Sequence, residues 1–197
     1  MFNGKDEIEK ALAALSEQLE VLGAGTFEMV VCGGAALNVL GYVRRTTKDV
    51  DVIAFVEKKG GSVSLIKSGP FPPLIKQAAE KVQRDFNLPD NWLNPGPASV
   101  MDFGLPEGLM DRTETRIYGN TLIIHYLGRY DQVHFKLYAA VDQGGKHFDD
   151  LQALKPTSRE LEEAARWSLT HDPSEGFQVI LRDFLRRIGH DDVAAKL

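Results

Sequence analysis

Apolar residues recur at steps of three and four along much of the chain, which is the period of an amphipathic helix. In the first such segment they share one face up to Leu22, and Gly23 follows as a helix-ending residue. By this criterion we predict helices over residues 6–22, 35–40, 74–86, 132–141, 158–169 and 177–188. Asp131 and Thr157 are predicted N-caps, because their side-chain oxygens can accept hydrogen bonds from first-turn amides.

Short apolar runs bounded by glycine or polar residues predict the strands. Residues 27–32 (FEMVVC) are mostly apolar, as in a strand buried on both faces. Residues 49–56 (DVDVIAFV) alternate at first and then become continuously apolar, and residues 99–103 and 122–126 are further predicted strands. Because strands and helices are interspersed, the predicted fold class is α/β with a mixed sheet of the α+β kind.

The length of 197 residues suits one domain with a helical appendage. We predict an α/β domain with its N-terminal helix at residues 1–155, and a helical C-terminal extension packed on it at residues 156–197. Residues 88–97 (LPDNWLNPGP) contain three prolines and are a predicted loop. Within that loop, Trp92-Leu93-Asn94 is either a structural plug or a segment on the substrate side.

The composition excludes several classes of protein. A formal charge of −5 excludes a basic protein that binds nucleic acid with its whole surface. Arg182, Arg186 and Arg187 form a local basic group, which is either a solvated helix face or an edge for RNA or an acidic partner. The single cysteine excludes an intramolecular disulfide, and no signal peptide or membrane span is visible. We therefore expect a cytoplasmic protein with no membrane partner.

Asp49 and Asp51 are the sharpest candidates for chemistry. Two carboxylates two residues apart on a strand lie on one face, about 6.6 Å apart along the backbone. Like charges at this spacing repel each other unless a cation lies between them. Mg²⁺ (or Mn²⁺) prefers carboxylate oxygens and commonly shares its ligands with phosphate. The alternative is a pair of acids at a solvated strand end.

Gly33-Gly34 follows the preceding predicted strand and opens a helix. Glycines at such a turn allow backbone amides to approach a phosphate closely, although many strand-to-helix turns need a glycine for other reasons. Arg44, Arg45 and Lys48 add basic groups directly before the acidic pair, unless they belong to a solvated loop. Together these residues predict a cradle for a nucleoside triphosphate and its metal.

The same residues resemble a known family. The run from Val31 through Gly33-Gly34 to Leu37, followed by Arg45-Thr46-Thr47-Lys48-Asp49-Val50-Asp51, is similar to the polymerase-β-like nucleotidyltransferase superfamily. The nearest likeness is to its small bacterial branch, which includes the abortive-infection toxin nucleotidyltransferases. The resemblance implies a minimal nucleotidyltransferase fold, with Gly33, Gly34, Arg45, Thr47 and Lys48 at the nucleotide.

A second block resembles the same branch. Lys136-Leu137-Tyr138-Ala139-Ala140, followed by Lys146, His147 and Asp150-Leu151, is similar to its pattern of a lysine, an alanine and a later acidic motif. The resemblance implies that Lys136 reaches the triphosphate and that Asp150 orients a basic group. His147 stands where the pattern has an aspartate. For the superfamily's third carboxylate, Asp102 is the best candidate, with a plain turn acid as its alternative.

The function implied is transfer of a nucleoside monophosphate from an NTP to an acceptor, which is RNA, a protein or a small molecule. Asp49 and Asp51 would hold one or two Mg²⁺ ions, and Lys136 would act as a cationic clamp. The alternative is a catalytically degenerate module that binds a nucleotide or a partner protein, such as one half of a toxin–antitoxin pair.

Overall fold

The computed structural model describes residues 1–197, and the chain divides into two units. The first unit comprises Met1–Asp102 and Thr113–Leu127, and the second comprises Phe103–Arg112 and Gly128–Leu197. This division does not coincide with the predicted boundary between residues 155 and 156, which lies inside the second unit. A mixed α/β architecture with a helical C-terminal portion is confirmed.

The first unit contains three helices and a mixed six-stranded sheet. The helices are α1 (Lys5–Val21), α2 (Gly33–Val39) and α3 (Pro73–Phe86). The strands are β1 (Phe27–Cys32), β2 (Val50–Lys59), β3 (Ser62–Lys67), β4 (Leu93–Asn94), β5 (Glu114–Tyr118) and β6 (Leu122–Tyr126). Five strands follow the order β3-β2-β1-β6-β5, and the short β4 pairs with the start of β2.

The strand directions explain how the start of β2 becomes a site. β1 is antiparallel to β2 and parallel to β6, while β4 is parallel to β2. The first residues of β2 therefore lie between the end of β1 and the end of β4. Asp51 is opposite Cys32 in one ladder and opposite Asn94 in the other.

The hydrophobic core of the first unit lies between one face of the sheet and the helices α1 and α3. Alternate residues of the strands, such as Val50 and Val52, belong to the same buried cluster as the apolar residues of α1. Leu12 is fully buried in this cluster, and burying a leucine side chain stabilises the fold by about 1.5–3 kcal/mol. The apolar face predicted by the periodicity of residues 6–22 is thus the face of α1 that packs against the sheet.

In the middle of the chain one strand was missed and one strand prediction was wrong. Residues 62–67 form β3, an edge strand that is mostly exposed and for which no prediction was made. Residues 99–103 are not a strand but the end of a 3₁₀ helix, Gly96–Phe103, in which only Ala98 is buried. A run with so little burial cannot occupy an interior strand, despite its apolar letters.

The second unit is helical. It contains α4 (Arg129–Gln143), α5 (Lys146–Ala153), α6 (Ser158–His171), α7 (Glu175–Arg187) and α8 (Asp191–Ala194), together with a 3₁₀ turn at Leu109–Arg112. α4 packs against α5, α6 and α7. The helices on both sides of the predicted boundary at 155/156 therefore share one packing unit.

The two predicted N-caps have different outcomes. Thr157 caps α6 as predicted: its hydroxyl accepts the backbone N–H of Glu160, and the Glu160 carboxylate accepts the backbone N–H of Thr157. Asp131 is not a cap, because α4 begins two residues earlier. Its fully buried carboxylate instead accepts hydrogen bonds from the guanidinium of Arg112 at 2.7 and 3.0 Å, which raises the pKa of Arg112.

Candidate functional site

The turn between β1 and α2 is built on Gly33. This residue has φ +70°, a conformation that is strained for residues with a side chain. A Cβ atom at this position would lie 2.5 Å from Oδ2 of Asp51. The absence of a side chain therefore allows the Asp51 carboxylate to lie directly against the backbone of the turn.

Gly34 makes a second close approach. A Cβ atom here would lie 2.7 Å from the Thr47 hydroxyl oxygen and 3.0 Å from Nη2 of Arg45. The structure thus brings together Gly33, Gly34, Arg45, Thr47 and Asp51, five of the residues predicted from sequence. Segments about 15 residues apart in the chain meet at one turn because β1 and β2 are antiparallel neighbours.

The two carboxylates lie at the entrance of β2. Asp51 is the second residue of the strand and Asp49 precedes its first residue, and both side chains are half-buried. Val50, between them, is fully buried in the core. The local pattern of two polar residues flanking an apolar one therefore fixes which residue faces the core and leaves both acids outside it.

Hydrogen bonds hold the loop that precedes Asp49 and Asp51 at two residues, Arg45 and Thr47. The backbone of Thr47 exchanges both hydrogen bonds with Phe2, at 2.8 and 3.0 Å. The backbone N–H of Arg45 donates to Oδ1 of Asn38 at 3.3 Å. Lys48, in contrast, is exposed to solvent. The N-terminal segment and α2 thus hold the loop that carries the predicted nucleotide-binding side chains.

Asn38 was missed by the sequence reasoning. It is 5% exposed, and its Nδ2 also donates to the carbonyl of Gly34 at 2.8 Å. It also helps to line a cavity of about 480 Å³, together with Gly41, Arg44 and the first residues of α1. A polar residue within a short, otherwise apolar helix is the signal that could have identified it. Asn38 connects the glycine turn, the basic loop and this cavity.

The sequence left two roles open for the segment Trp92-Leu93-Asn94: a structural plug or a segment on the substrate side. The structure places Asn94 on β4, directly opposite Asp51, and its Nδ2 donates to Oδ1 of Asp51 at 2.8 Å. Trp92, two residues earlier, is 1% exposed and donates its Nε1–H to the carbonyl of Ala79. Trp92 is therefore a structural, buried residue of this segment, whereas Asn94 contacts the candidate site.

Asp102 does not occupy the position considered for a third carboxylate. It lies in the 3₁₀ helix, half of its side chain is exposed, and its carboxylate pairs with Lys67. The residue across from Asp51 on the neighbouring strand is Asn94. A turn acid in a surface ion pair is the reading that the structure supports for Asp102.

The donor set at β2 fits a magnesium ion. Mg²⁺ binds proteins through one or two carboxylates and completes its octahedral shell with water and substrate phosphates. Asp49 and Asp51, both half-buried at the start of β2, would supply two carboxylates. The glycine turn leaves room for the Asp51 carboxylate that a bulkier residue would displace. Two protein ligands suit a metal that arrives with a nucleotide.

Lys136 and Asp150 form an ion pair within the second unit. Nζ of Lys136 lies 2.7 Å from Oδ2 of Asp150, and the two side chains are 5% and 1% exposed. Lys136 is on α4 and Asp150 on α5, so the pair joins two helices across their interface. Asp150 thus pairs with this lysine, while the roles that the resemblance implied for both residues at a triphosphate stay predictions.

His125 belongs to a row of polar side chains on the sheet. Its Nε2 lies 3.1 Å from the Glu28 carboxylate and its Nδ1 lies 2.9 Å from the Thr115 hydroxyl. Partial burial raises the pKa of Glu28, but hydrogen bonds from Lys58 and His125 outweigh it and hold the pKa below its ordinary value. His125 is therefore a satisfied, partly buried histidine.

Comparisons with known proteins add no relative to this picture. No protein-family model, no curated protein and no solved structure matches the chain. None of its helices combines the length and the apolar character needed to cross a lipid bilayer. The functional argument therefore depends on the geometry around Asp51.

Proposed function

We propose that the protein is a metal-dependent nucleotidyltransferase, which moves a nucleoside monophosphate from an NTP to an acceptor and releases pyrophosphate. The observation that carries the proposal is the approach of Asp51 to the Gly33-Gly34 turn, with a 2.5 Å distance that admits no side chain at residue 33. A carboxylate that binds metal and a turn suited to phosphate are thereby held in contact. Cytoplasmic location is part of the same proposal.

The chain's own groups contribute mainly by positioning and charge. Gly33 and Gly34 present backbone rather than side chains to the phosphates, and Arg45, packed against Gly34, supplies a positive charge beside them. Lys48 adds a second, solvent-exposed cation to the same loop. These groups reduce the charge repulsion that an incoming hydroxyl meets at the α-phosphate.

Mg²⁺ (or Mn²⁺) held by Asp49 and Asp51 would supply charge neutralisation at the triphosphate. In the overall reaction the acceptor oxygen forms a bond to the α-phosphorus, and the bond between the α-phosphorus and the bridging oxygen breaks. Pyrophosphate leaves, and the acceptor loses its proton to solvent or to a base. The acceptor class, RNA, protein or small molecule, is left open.

Asp51→Asn tests the proposal directly. The amide keeps the size of the side chain but removes its charge, so label transfer from α-³²P-NTPs to added RNA, protein or small-molecule acceptors should fall by more than the about 10–100-fold typical of residues that only orient a metal ligand. Asp85→Asn, an exposed acid on α3 paired with Lys81, is the matched control and should keep full transfer. An Asp51→Asn variant with undiminished transfer would refute the proposal.

A second candidate function is favoured by the residue opposite Asp51. The residue opposite Asp51 on the neighbouring strand is an asparagine and not a carboxylate. A module that binds a nucleotide or a partner without turnover needs no third carboxylate at this position. Such a module could be one half of a toxin–antitoxin pair, with the net charge of −5 directed to a basic partner. Stable co-purification with a neighbouring gene product, together with no transfer by the isolated protein, would favour this function.

A further inference from the structure

The side-chain amide of Asn94 is hydrogen-bonded at both of its ends. Nδ2 donates to Oδ1 of Asp51 at 2.8 Å, and Oδ1 accepts the backbone N–H of Gly96 at 2.9 Å. A reversed amide would turn its oxygen toward the carboxylate and its NH₂ toward another donor, so only one orientation satisfies both partners. Asn94 therefore presents a fixed donor to Asp51.

The position of Asn94 is in turn set by the tryptophan two residues before it. The carbonyl of Trp92 accepts the backbone N–H of Val50 at 2.6 Å, which attaches β4 to the first residue of β2. The buried indole packs edge-on against Phe2, with 6.1 Å between the ring centroids. Its N–H donates a hydrogen bond to the backbone carbonyl of Ala79. β4 has only two residues, but Trp92, which directly precedes it, attaches it to β2 and to the buried core.

The carboxylate of Asp51 consequently has a defined contact on each side. Oδ1 receives the hydrogen bond from Asn94, and Oδ2 lies against the backbone of Gly33. Both contacts come from elements that are themselves fixed, β4 and the β1–α2 turn. Rotation of the carboxylate out of its present plane would break the hydrogen bond from Asn94.

We infer that Asn94 is a positioning residue for the metal and nucleotide site, an inference that rests on the proposed function. Its amide fixes the plane of the Asp51 carboxylate while adding no negative charge beside Asp49 and Asp51. Residues that orient a metal-ligating group commonly change metal affinity or activity by about 10–100-fold when they are replaced. Asn94 is therefore expected to act through Asp51 without contacting the metal.

The test is a titration with Mn²⁺, whose free aquo ion gives an electron paramagnetic resonance signal that is lost on binding. Asn94→Ala should weaken Mn²⁺ binding by about 10–100-fold. Asn120→Ala is the matched control, because Asn120 also donates its Nδ2 to a carboxylate, that of Glu20, at 3.1 Å on an exposed surface. The control should bind Mn²⁺ as the wild type does.

Asn94→Asp serves as a second variant in case the alanine variant is poorly folded. The new carboxylate faces Asp51 without a donated hydrogen bond, so the metal-free midpoint of thermal unfolding should fall below that of the wild type. Equal Mn²⁺ affinity of Asn94→Ala and wild type, or a metal-free midpoint of Asn94→Asp equal to that of the wild type, would overturn the inference. Wild-type protein that binds no Mn²⁺, with or without NTPs, would instead overturn the proposed function.

Discussion

At the scale of single residues, the candidate site depends on two glycines whose missing side chains leave space for others. Gly33 admits the Asp51 carboxylate, and Gly34 admits the Thr47 hydroxyl and the Arg45 guanidinium. The sequence alone indicated the glycines and the acids, because both are short motifs of neighbouring residues: a glycine pair between a strand and a helix, and Asp49-Val50-Asp51 at the start of a strand. It did not indicate which atoms meet, since that depends on the register of β1 against β2.

Gly33→Ala should damage both stability and the site. The positive φ alone costs about 1–2 kcal/mol for a residue with a side chain, and the added methyl group must displace Asp51. We expect the free energy of unfolding in urea to fall by at least that amount and nucleotide-dependent stabilisation to be lost. Gly25→Ala, where an added Cβ has nothing within 4 Å, is the control and should change the free energy of unfolding by less than about 0.5 kcal/mol. Wild-type stability in Gly33→Ala would contradict the described geometry.

Glu160 carries a prediction about pH. The hydrogen bond from Arg129 holds the pKa of Glu160 below its ordinary value, so the ionised carboxylate stabilises the folded state above the unfolded pKa near 4.5. That contribution is lost as the pH falls through the lower, folded-state pKa. Glu160→Gln keeps the capping oxygen but loses the charge, and should cost about 1 kcal/mol at pH 7.

The measurement is the unfolding free energy of wild type and Glu160→Gln in urea at pH 7 and at pH 3. The difference between the two proteins should shrink at pH 3, because protonation removes the charge in the wild type as well. Glu80→Gln, on an exposed position of α3, is the control and should show no difference at either pH. A difference that stays constant across this range would show that the charge of Glu160 is not its cause.

At the scale of elements, the clearest tertiary feature of the helical unit is the ion pair between α4 and α5. Removing one member of a buried ion pair deprives the other of its opposite charge, which costs about 3–5 kcal/mol. We expect this loss for Lys136→Met, and partial recovery in Lys136→Met/Asp150→Asn, which also removes the remaining charge. The exposed pair Lys196 and Glu162 is the comparison, and Lys196→Met should cost less than about 1 kcal/mol.

The same double variant separates structure from chemistry. If Lys136 contacts the triphosphate as the resemblance implied, label transfer should remain abolished in Lys136→Met/Asp150→Asn even where its unfolding free energy recovers. Transfer that returns together with stability would assign Lys136 a structural role alone. Equal stability losses in the single and double variants would contradict the buried ion pair itself.

The elements differ in how far the sequence could predict them. β1 and β6 agree with their predicted ranges residue for residue, because each is a short apolar run between clear breaks. β3 was missed although Gly60-Gly61, both with positive φ, mark a two-residue hairpin turn that sequence patterns can indicate. β4 could not be predicted, since its two residues pair with a strand about 40 residues earlier and carry no periodicity of their own. Asn94, which depends on that pairing, was therefore beyond a local reading.

At the scale of the whole molecule, the chain comprises a sheet unit that carries the acidic pair and a helical unit that carries Lys136 and Asp150. The sequence predicted a sheet-containing part followed by a helical part, whereas the helical unit comprises Gly128–Leu197 together with the inserted segment Phe103–Arg112. Apolar periodicity identified α4, α6 and α7 but not their packing partners, and it did not identify α5. Residues 128–155 therefore fall in the same unit as residues 156–197.

The central claim, that Asp49 and Asp51 bind a metal–nucleotide complex, is tested most directly by the thermal unfolding midpoint with each of the four NTPs, with Mg²⁺ or with EDTA. Ligand at about 100 times its Kd adds about 2.7 kcal/mol to the folded state, which for a chain of this size raises the midpoint by about 5–10 °C. We predict such a rise with Mg²⁺ and at least one NTP, and its loss in Asp49→Asn/Asp51→Asn and in EDTA. No rise with any NTP, or a rise that the double variant retains, would contradict the account.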